Sequence, residues 1–415
     1  MLTTIKWIKL NLLPVLAWGT FAIGIVDSTQ AATIINEGNA AGIQCESIGV
    51  NNTGSVVGNC MPSNANNPVQ AWVALKPGSE ISLPPLVPGQ PCLVGTISNS
   101  GLITGECESA NDVWFAVTWM ATSTPAAPTK LEPLSGLVGL GADVSTHLAA
   151  ASELGVVVGQ SESVTGNRTA VMYAANSKTP ISVSSPGDNC SPVDVNDTPV
   201  NGGLPTVALN CPNASGTTTA SYAQNNGILG AFTITALPLP ANATYCTVTS
   251  VNNKTQFAGT CHFSAPDLPK AAFWAGPTSA PQLLTLANFP RHSAFALNNL
   301  GHVLVTYENS NGQSSTGFWD PASHTLSFIQ PLPGGTSALP AALARDADKA
   351  LLNSEVTGQH WECEVWSLSG GAIAEGFEGG GLNDSCDAIS NNGMYATGVA
   401  ENSSENLDAT LAIIP

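Results

Sequence analysis

The fold of this chain is decided by the stretch Val50-Asn51-Asn52-Thr53-Gly54, because variants of it recur along the sequence. In each copy an apolar residue precedes an Asn-rich turn that usually ends in glycine. The further copies are Ile97-Ser98-Asn99-Ser100-Gly101, Val251-Asn252-Asn253-Lys254-Thr255, Leu297-Asn298-Asn299-Leu300-Gly301 and Ser390-Asn391-Asn392-Gly393. Asn and Gly tolerate the positive φ that tight hairpins need, so each copy predicts two antiparallel strands joined by a short turn.

The turns belong to a longer repeat of two apolar runs, a polar loop, a strand ending in an aromatic residue and a short last strand. The units begin near residues 45, 92, 146, 190, 246, 292, 339 and 386. A period of about 45–55 residues with four strands per unit is typical of a β-propeller. We therefore predict that residues 32–415 form an all-β domain, a single eight-bladed β-propeller of four-stranded antiparallel blades, with seven blades as the alternative.

The last unit is one strand short, since the chain stops after the apolar run 407–414. The apolar segment 32–36 precedes the first full unit and can supply the missing strand. Pairing the N-terminal strand into the last blade would remove two sheet edges that invite aggregation. The ends of the chain thus predict a ring closed by its own N-terminus.

The third strand of most units carries an aromatic residue at a similar place. The aligned residues are Trp119, Tyr173, Tyr222, Trp274, Trp319 and Trp366, with Trp72 two residues earlier in the first unit and Leu411 in the last. These rings could stack on sugars or pack between neighbouring sheets. Repetition in nearly every unit favours packing, because binding residues usually break the symmetry of a repeat.

Ten cysteines follow the repeat. Cys45 and Cys60 flank the first turn, and Cys92 with Cys107 and Cys246 with Cys261 repeat the same spacing; Cys190 and Cys211 flank the fourth turn, which holds an insertion. Thr146 and Ser161 in the third unit and His292 and Tyr307 in the sixth replace both members of the pair. This pattern predicts disulfides across antiparallel strands. Cys363 and Cys386 lie in neighbouring units and could bridge them.

The N-terminus reads as a processing segment. Lys6 and Lys9 precede the apolar run 10–26, and small residues at 27–31 offer a cleavage site. We predict a secretory signal peptide over 1–31 rather than a retained membrane anchor, since Pro14 interrupts the run. The mature protein is expected to be a monomer without a membrane span, and to be secreted, periplasmic or on the cell surface.

The charge balance argues against two classes of partner. Charged residues make up 10% of the chain, and the formal net charge is −18. Nucleic acids and anionic lipids need clustered Lys or Arg to displace counterions, and the sequence has no basic run. The expected partner is therefore a protein or a glycan.

The sequence offers no residue that can be assigned as a catalytic group, a metal ligand or part of a cofactor site. The sequence contains no Gly-x-Ser-x-Gly elbow or phosphate-binding glycine loop. The segment Arg345-Asp346-Ala347-Asp348 replaces the Asn-Gly turn of the seventh unit and reads as a substituted turn. Acidic residues follow the second strands, and two of them could act as acid and base on a glycan, although solvated loop acids are the favoured interpretation. They are Glu106, Glu108, Asp112, Glu162, Asp267, Glu308, Glu401 and Glu405.

The repeat resembles the HAF-type extracellular repeats of exported bacterial proteins. The resemblance lies in the second strands Val56-Val57-Gly58, Val157-Val158-Gly159, Phe257-Ala258-Gly259 and Ala396-Thr397-Gly398, and in the third strands Ala272-Phe273-Trp274 and Gly317-Phe318-Trp319. It covers nearly the whole mature chain and implies fold and export, with no common activity.

These observations together favour an exported binding or scaffold protein without enzymatic activity, which acts through the face that carries the loops after the second strands. A carbohydrate-active enzyme, either a lyase or a hydrolase, is the alternative. Propellers host such activities, but a shared fold alone is weak support for one.

Overall fold

The computed structural model describes residues 33–36, 44–62, 67–136, 142–199, 204–225, 227, 231–264, 268–286, 288–308, 312–357, 360–375, 377, 380–402 and 406–414. The predicted signal peptide, residues 1–31, lies outside this part of the chain. No helix within the described ranges has the length and apolar character needed to cross a bilayer.

The described residues form eight four-stranded antiparallel sheets, and each is one blade. Blade 8 takes its outer strand from the N-terminus, β1 (Thr33–Asn36). The first four blades are built from β2 (Gln44–Val50), β3 (Val56–Met61), β4 (Gln70–Ala74), β5 (Glu80–Ser82); β6 (Cys92–Ile97), β7 (Leu102–Glu108), β8 (Trp114–Met120), β9 (Thr129–Lys130); β10 (Ser145–Ala151), β11 (Val157–Glu162), β12 (Arg168–Tyr173), β13 (Ile181–Ser182); and β14 (Ser191–Pro199), β15 (Pro205–Pro212), β16 (Thr218–Asn225), β17 (Phe232–Ala236).

Blades 5 to 8 repeat this order along the rest of the chain. Their strands are β18 (Ala243–Val251), β19 (Phe257–Phe263), β20 (Lys270–Trp274), β21 (Gln282–Leu283); β22 (Arg291–Leu297), β23 (Val303–Glu308), β24 (Ser314–Asp320), β25 (Thr325–Phe328); β26 (Ala338–Leu343), β27 (Lys349–Val356), β28 (His360–Ser367), β29 (Gly371–Glu375); and β30 (Gly380–Ile389), β31 (Tyr395–Asn402), β32 (Leu407–Ile413). The prediction of an eight-bladed β-propeller is confirmed, and the seven-bladed alternative is excluded.

The ring is closed by β1, as the ends of the sequence predict. β1 pairs antiparallel with β32, from Thr33 opposite Ile413 to Asn36 opposite Thr410. Blade 8 therefore contains both ends of the propeller domain, and its outer strand covers an edge of β32 that would otherwise be open.

The core is divided between the blades. In the described chain, eight apolar clusters are found, and each one joins two neighbouring blades, including a cluster between blade 8 and blade 1. Every sheet is therefore buried on both faces, which explains the long apolar runs of the second strands. The aromatic residues of the third strands pack in these clusters, in agreement with the packing interpretation.

Tyr222 and Leu411, two members of the residue series aligned in the third strands, lie on the opposite side of their sheets from the others. Trp274 lies opposite Phe257, and Trp319 lies opposite Val303 at the equivalent place in the next blade. Ala223 of blade 4 takes that place opposite Val207, so Tyr222 is one residue out of register. Because side chains alternate along a strand, Tyr222 packs toward blade 5, and Leu411 of blade 8 likewise packs toward blade 1.

A β-bulge recurs at the same place in the innermost strand of every blade. The register shifts between Ser47 and Gly49 in blade 1, and equivalent shifts occur in the other seven blades. A bulge leaves ladder groups unpaired. In several blades a polar side chain on the second strand of the preceding blade fills this need, as when Asn59 Oδ1 accepts a 2.9 Å hydrogen bond from the Val94 amide. Polar bonds therefore tie neighbouring blades together beside the apolar clusters.

Five disulfides brace the ring. Four of them cross from the first to the second strand of a blade and join Cys45 to Cys60, Cys92 to Cys107, Cys190 to Cys211 and Cys246 to Cys261. The fifth joins Cys363 in β28 to Cys386 in β30, and so links blade 7 to blade 8. Disulfides in this number are typical of proteins from oxidising compartments.

Candidate functional site

The two faces of the ring have different constructions. We call the face with the hairpin turns between first and second strands the turn face, and the opposite face, with the loops after the second strands and the linkers between blades, the loop face. On the loop face, blades 2, 3 and 4 have tight five-residue turns, closed for example by the Ser163 amide donating to the Asn167 carbonyl at 2.9 Å. Linkers such as 329–337, which the sequence did not single out, are among the long segments in the described part of this face.

On the turn face, the hairpin turns hold one another in a closed circuit of hydrogen bonds. An amide of each turn donates to an oxygen of the next turn around the ring. The steps are Asn52 to Asn99 (2.8 Å), Asn99 to Glu153 (2.5 Å), Glu153 to Asp197 (2.7 Å), Asp197 to Asn253 (2.7 Å), Asn253 to Asn299 (2.8 Å), Asn299 to Arg345 (2.7 Å), Asp346 to Asn391 (2.8 Å) and Asn392 to Asn52 (2.9 Å). The side chain of the second Asn in the repeated turn thus accepts a hydrogen bond that joins its turn to the preceding one.

Arg345 reaches across the centre of the turn face. Its Nη2 donates to the carbonyl oxygens of Val195 (3.0 Å) and Val251 (3.2 Å), in blades 4 and 5. The guanidinium also lies 3.7 Å from Asp194 Oδ1 and 3.7 Å from Asp197 Oδ2. Burial opposes its charge, but Asp194, Asp197 and the neighbouring acids Glu153 and Asp346 together outweigh burial and raise the pKa of Arg345, so it remains a cation.

The other side chains near Arg345 have comparable roles. Asn391 of blade 8 donates from Nδ2 to Glu153 Oε1 of blade 3 at 2.7 Å, which gives a second link across the ring. Burial raises the pKa of Asp194 and of Glu153, and Arg345 opposes that rise in both cases. The acids and the arginine at this centre are occupied in holding distant blades together.

Two of the acids singled out in the sequence do converge. Glu106 of blade 2 and Glu162 of blade 3 flank His147, with carboxylate oxygens 3.8 Å from Nδ1 and 3.3 Å from Nε2 respectively. The interaction with Glu106 raises the pKa of His147 despite partial burial. Ser145 Oγ lies 3.5 Å from the same Nε2. The arrangement resembles a nucleophile, base and acid, but Glu162 competes with Ser145 for Nε2 and favours the imidazolium form, which cannot act as a base.

The remaining acids of that set are separated. Glu401 accepts a 3.1 Å hydrogen bond from Asn383 of its own blade. Glu108, Asp112 and Glu308 lie at separate positions in blades 2 and 6, and Asp267 and Glu405 lie outside the described residues. Over the described ranges, no group of three or more His, Cys, Asp or Glu side chains is placed to hold a metal ion.

A pocket of about 350 Å³ opens on the loop face at blade 6. Three aromatic rings from different segments form its wall: Phe289 from the linker before β22, Tyr307 from β23 and Phe328 from β25. Tyr307 lies 4.7 Å from Phe289 and 5.3 Å from Phe328 between ring centroids, and Phe289 lies 5.6 Å from Phe328. Ser315, Gln330 and Thr336 add neutral polar groups to the lining.

Sequence reasoning missed this pocket, although one signal was present. Tyr307 occupies the place at which four other blades carry the second cysteine of a disulfide, and it lies opposite His292. Burial lowers the pKa of His292 to about 4, so the imidazole is neutral, and its Nδ1 accepts a 2.9 Å hydrogen bond from the Ala271 amide. An aromatic residue at a cysteine position was the available indication that blade 6 differs from its neighbours.

Fold, closure and disulfides define this chain as an eight-bladed β-propeller. It is similar in structure to prolyl oligopeptidase B from Galerina marginata, with 9% identity and a TM-score of 0.53 over 79% of this chain and 48% of that one. A prolyl endopeptidase (13% identity, TM-score 0.52, 78% and 50%) and a puromycin hydrolase (13%, 0.50, 86% and 55%) are also similar.

This similarity concerns the fold alone, because identity is so low. The chain spans about half the length of these enzymes, at 48% to 55% of each. No protein-family model matches the chain, and no curated protein sequence matches it either.

Proposed function

We propose that this protein is an exported, non-enzymatic binding or scaffold protein that takes its ligand on the loop face. The difference between the two faces carries the proposal. On the turn face, Asn, Asp, Glu and Arg side chains are bound to one another around the ring and across it. The loop face instead offers a concave pocket with neutral polar walls and a water-exposed aromatic ring, Phe328. The turn face also has a pocket, of about 300 Å³ between blades 2 and 3, but its aromatic residues Trp119 and Tyr173 are buried among the blades. We further propose membership in the HAF-type repeat proteins, which the repeated turns and strands support.

Export and the class of partner rest on independent observations. Five disulfides and the basic and apolar segment before residue 31 support a secreted, periplasmic or surface location. A net charge of −18 disfavours nucleic acid and anionic membranes as partners. We therefore infer that the ligand is a protein or a glycan.

One observation favours a second function. Near the loop face, the imidazole of His147 lies between the carboxylates of Glu106 and Glu162. Paired carboxylates are the usual machinery of glycoside hydrolysis. A carbohydrate-active enzyme is therefore the alternative, and its activity would depend on these three residues.

The two functions are separated by incubating the mature protein with a panel of glycans. We expect binding on a glycan array or to a protein partner, with no release of reducing ends or unsaturated products. Product that appears with the wild type and disappears in Glu162→Gln would contradict the non-enzymatic proposal and establish the alternative.

The face is tested by inserting a small folded domain at one glycine. Gly312 lies on the loop face in blade 6, and an added Cβ there would meet only the Glu308 carboxylate at 3.8 Å. Gly78, on the turn face in blade 1, is the matched control, since nothing lies within 4 Å of its added Cβ. We expect the insertion at Gly312 to block binding and the insertion at Gly78 to leave it intact. The reverse result would place the ligand on the turn face.

A further inference from the structure

We propose that the pocket of blade 6 binds a neutral saccharide, with a pyranose ring stacked on Phe328 and its hydroxyls bonded to the polar lining. This inference rests on the proposed function and names the place and the ligand class for it.

The stacking surface is set by the different exposure of the three rings. Phe328 is 42% exposed, whereas Tyr307 is 6% exposed. Their ring planes are nearly perpendicular, at 88°, so the edge of one ring supports the face of the other. Such edge-to-face contacts are the favoured geometry between aromatic rings. Phe328 is thereby held rigidly with part of its surface in water, which is the arrangement an apolar sugar face requires.

The polar lining selects against charge. The polar groups of the lining are neutral, and none of the described residues that line the pocket is charged. Burial raises the pKa of Tyr307, so its hydroxyl stays protonated, and it shares a hydrogen bond with the Ser315 side chain. A charged ligand would lose its hydration in this pocket without gaining a countercharge. A neutral sugar, by contrast, offers hydroxyls that both donate and accept hydrogen bonds.

The linker 329–337, which forms the outer wall of the pocket, is held by contacts with blade 7. Glu355 of blade 7 accepts hydrogen bonds from the Thr336 amide (3.1 Å) and the Thr336 hydroxyl (2.5 Å). Gly335 packs so closely that an added Cβ would come within 1.6 Å of the Glu355 carbonyl oxygen. The linker 329–337 is therefore held against the next blade, and little ordering cost would remain to be met on binding.

The size of the pocket favours a small ligand over a peptide. Its volume of about 350 Å³ lies at the lower end of the range for ligand pockets, roughly 300–1,000 Å³. Proline-rich peptides also bind aromatic residues, but they do so along extended grooves. A pocket bounded by two linkers and the end of one blade fits one or two sugar rings.

The test measures dissociation constants for uncharged oligosaccharides by calorimetry, supported by saturation-transfer NMR. The probes are cellotriose, maltotriose, mannotriose and N-acetylchitotriose, with a trigalacturonate as the acidic comparison and a proline-rich peptide as the other ligand class. We expect at least one neutral probe to bind and the acidic probe to bind at least tenfold more weakly.

The variants place the binding within the pocket. Phe328→Leu keeps apolar volume but removes the ring, and it is expected to weaken binding at least tenfold, whereas Phe328→Trp should retain it. Phe295→Ala is the matched control, because Phe295 is 39% exposed in the same blade but lies in the innermost strand β22. Its affinity should equal that of the wild type within twofold.

Several outcomes would overturn the inference. Failure of every neutral probe to bind, equal binding of the acidic probe, or preference for the peptide would reject the ligand class. Unchanged affinity in Phe328→Leu would reject the pocket. In each of these cases a protein or glycan bound elsewhere on the loop face would still support the proposed function, whereas enzymatic release of sugar would contradict that function instead.

Discussion

Replacement of Arg345 by methionine tests the closure of the turn face. The side chains of Arg345 and Asp194 are only 19% and 18% exposed, so the carboxylates are left with little water when the guanidinium is removed. Removing one partner of a buried ion pair costs about 3–5 kcal/mol. Because some solvent reaches this pair, we expect Arg345→Met to lower the free energy of unfolding by about 3 kcal/mol.

The reason for the loss can be isolated by a double-mutant cycle. If the unpaired carboxylate causes most of the loss, Arg345→Met combined with Asp194→Asn should be more stable than the sum of the two single changes predicts, by about 1–2 kcal/mol.

The Arg345→Met variant should also depend on pH, and the sign of the change in its stability follows from Asp194. Burial raises the pKa of Asp194 in the folded state, and losing Arg345 raises it further, so the variant should lose stability as the pH rises above about 4.

The assay is equilibrium unfolding in urea with the disulfides intact, followed by circular dichroism. Arg168→Met is the matched control, because the side chain of Arg168 is 46% exposed beside Glu162 and should contribute less than about 1 kcal/mol. A loss of under about 0.5 kcal/mol in Arg345→Met, or strict additivity in the cycle, would show that Arg345 does not hold the blades together through the buried Asp194 carboxylate.

Three further predictions concern the braces, the inner strands and the pocket. Cys45→Thr with Cys60→Ser should cost about 3 kcal/mol, the loop-closure value for this separation, and peptide mapping of the unreduced wild type should link these two cysteines only to each other. Burial and then Glu46 raise the pKa of Asp387 to about 7, and burial raises the pKa of Asp384 to about 7 as well, so the wild type should lose stability as the pH rises from about 4 to about 7. Asp387→Asn should remove the share of this loss that belongs to Asp387 and be more stable than the wild type at pH 8 by up to about 4 kcal/mol, whereas parallel pH profiles would contradict the assignment. Gly335→Ala should displace the linker from Glu355 and weaken saccharide binding at least fivefold, although it leaves Phe328 unchanged. Unchanged affinity in this variant would contradict the role of the linker as a wall of the pocket.

The fold could be predicted from the sequence because the turn and cysteine patterns that indicate it are local and repeated. A hairpin turn such as Asn51 to Gly54 needs a residue that tolerates positive φ, and Gly54 has a φ of 76°. Cysteines that appear and disappear in pairs indicate opposed strands, and Cys45 does lie opposite Cys60. The missing last strand could be sought among the remaining apolar segments, and the segment at Thr33 was the suitable one.

The centre of the turn face and the pocket of blade 6 could not be predicted from the sequence, because both depend on contacts between residues that are distant along the chain. Arg345 bonds to Val195, 150 residues away, and no pattern in a single sequence marks that pair. Tyr222 was aligned with residues that lie on the other side of their strands, because a shift of one residue reverses the side of a sheet without altering composition. The pocket combines Phe289 with two residues from separate strands, so only the folded blade brings its aromatic rings together.

Binding of a saccharide at the loop face of blade 6 is tested by hydrogen–deuterium exchange of the mature protein with and without its tightest-binding neutral oligosaccharide. We expect slower exchange in peptides covering 303–308 and 325–337, at the loop-face end of blade 6, and unchanged exchange in the turns around Asn52, Asn253 and Arg345. Protection confined to those turns, or conversion of the oligosaccharide during the measurement, would contradict this proposal.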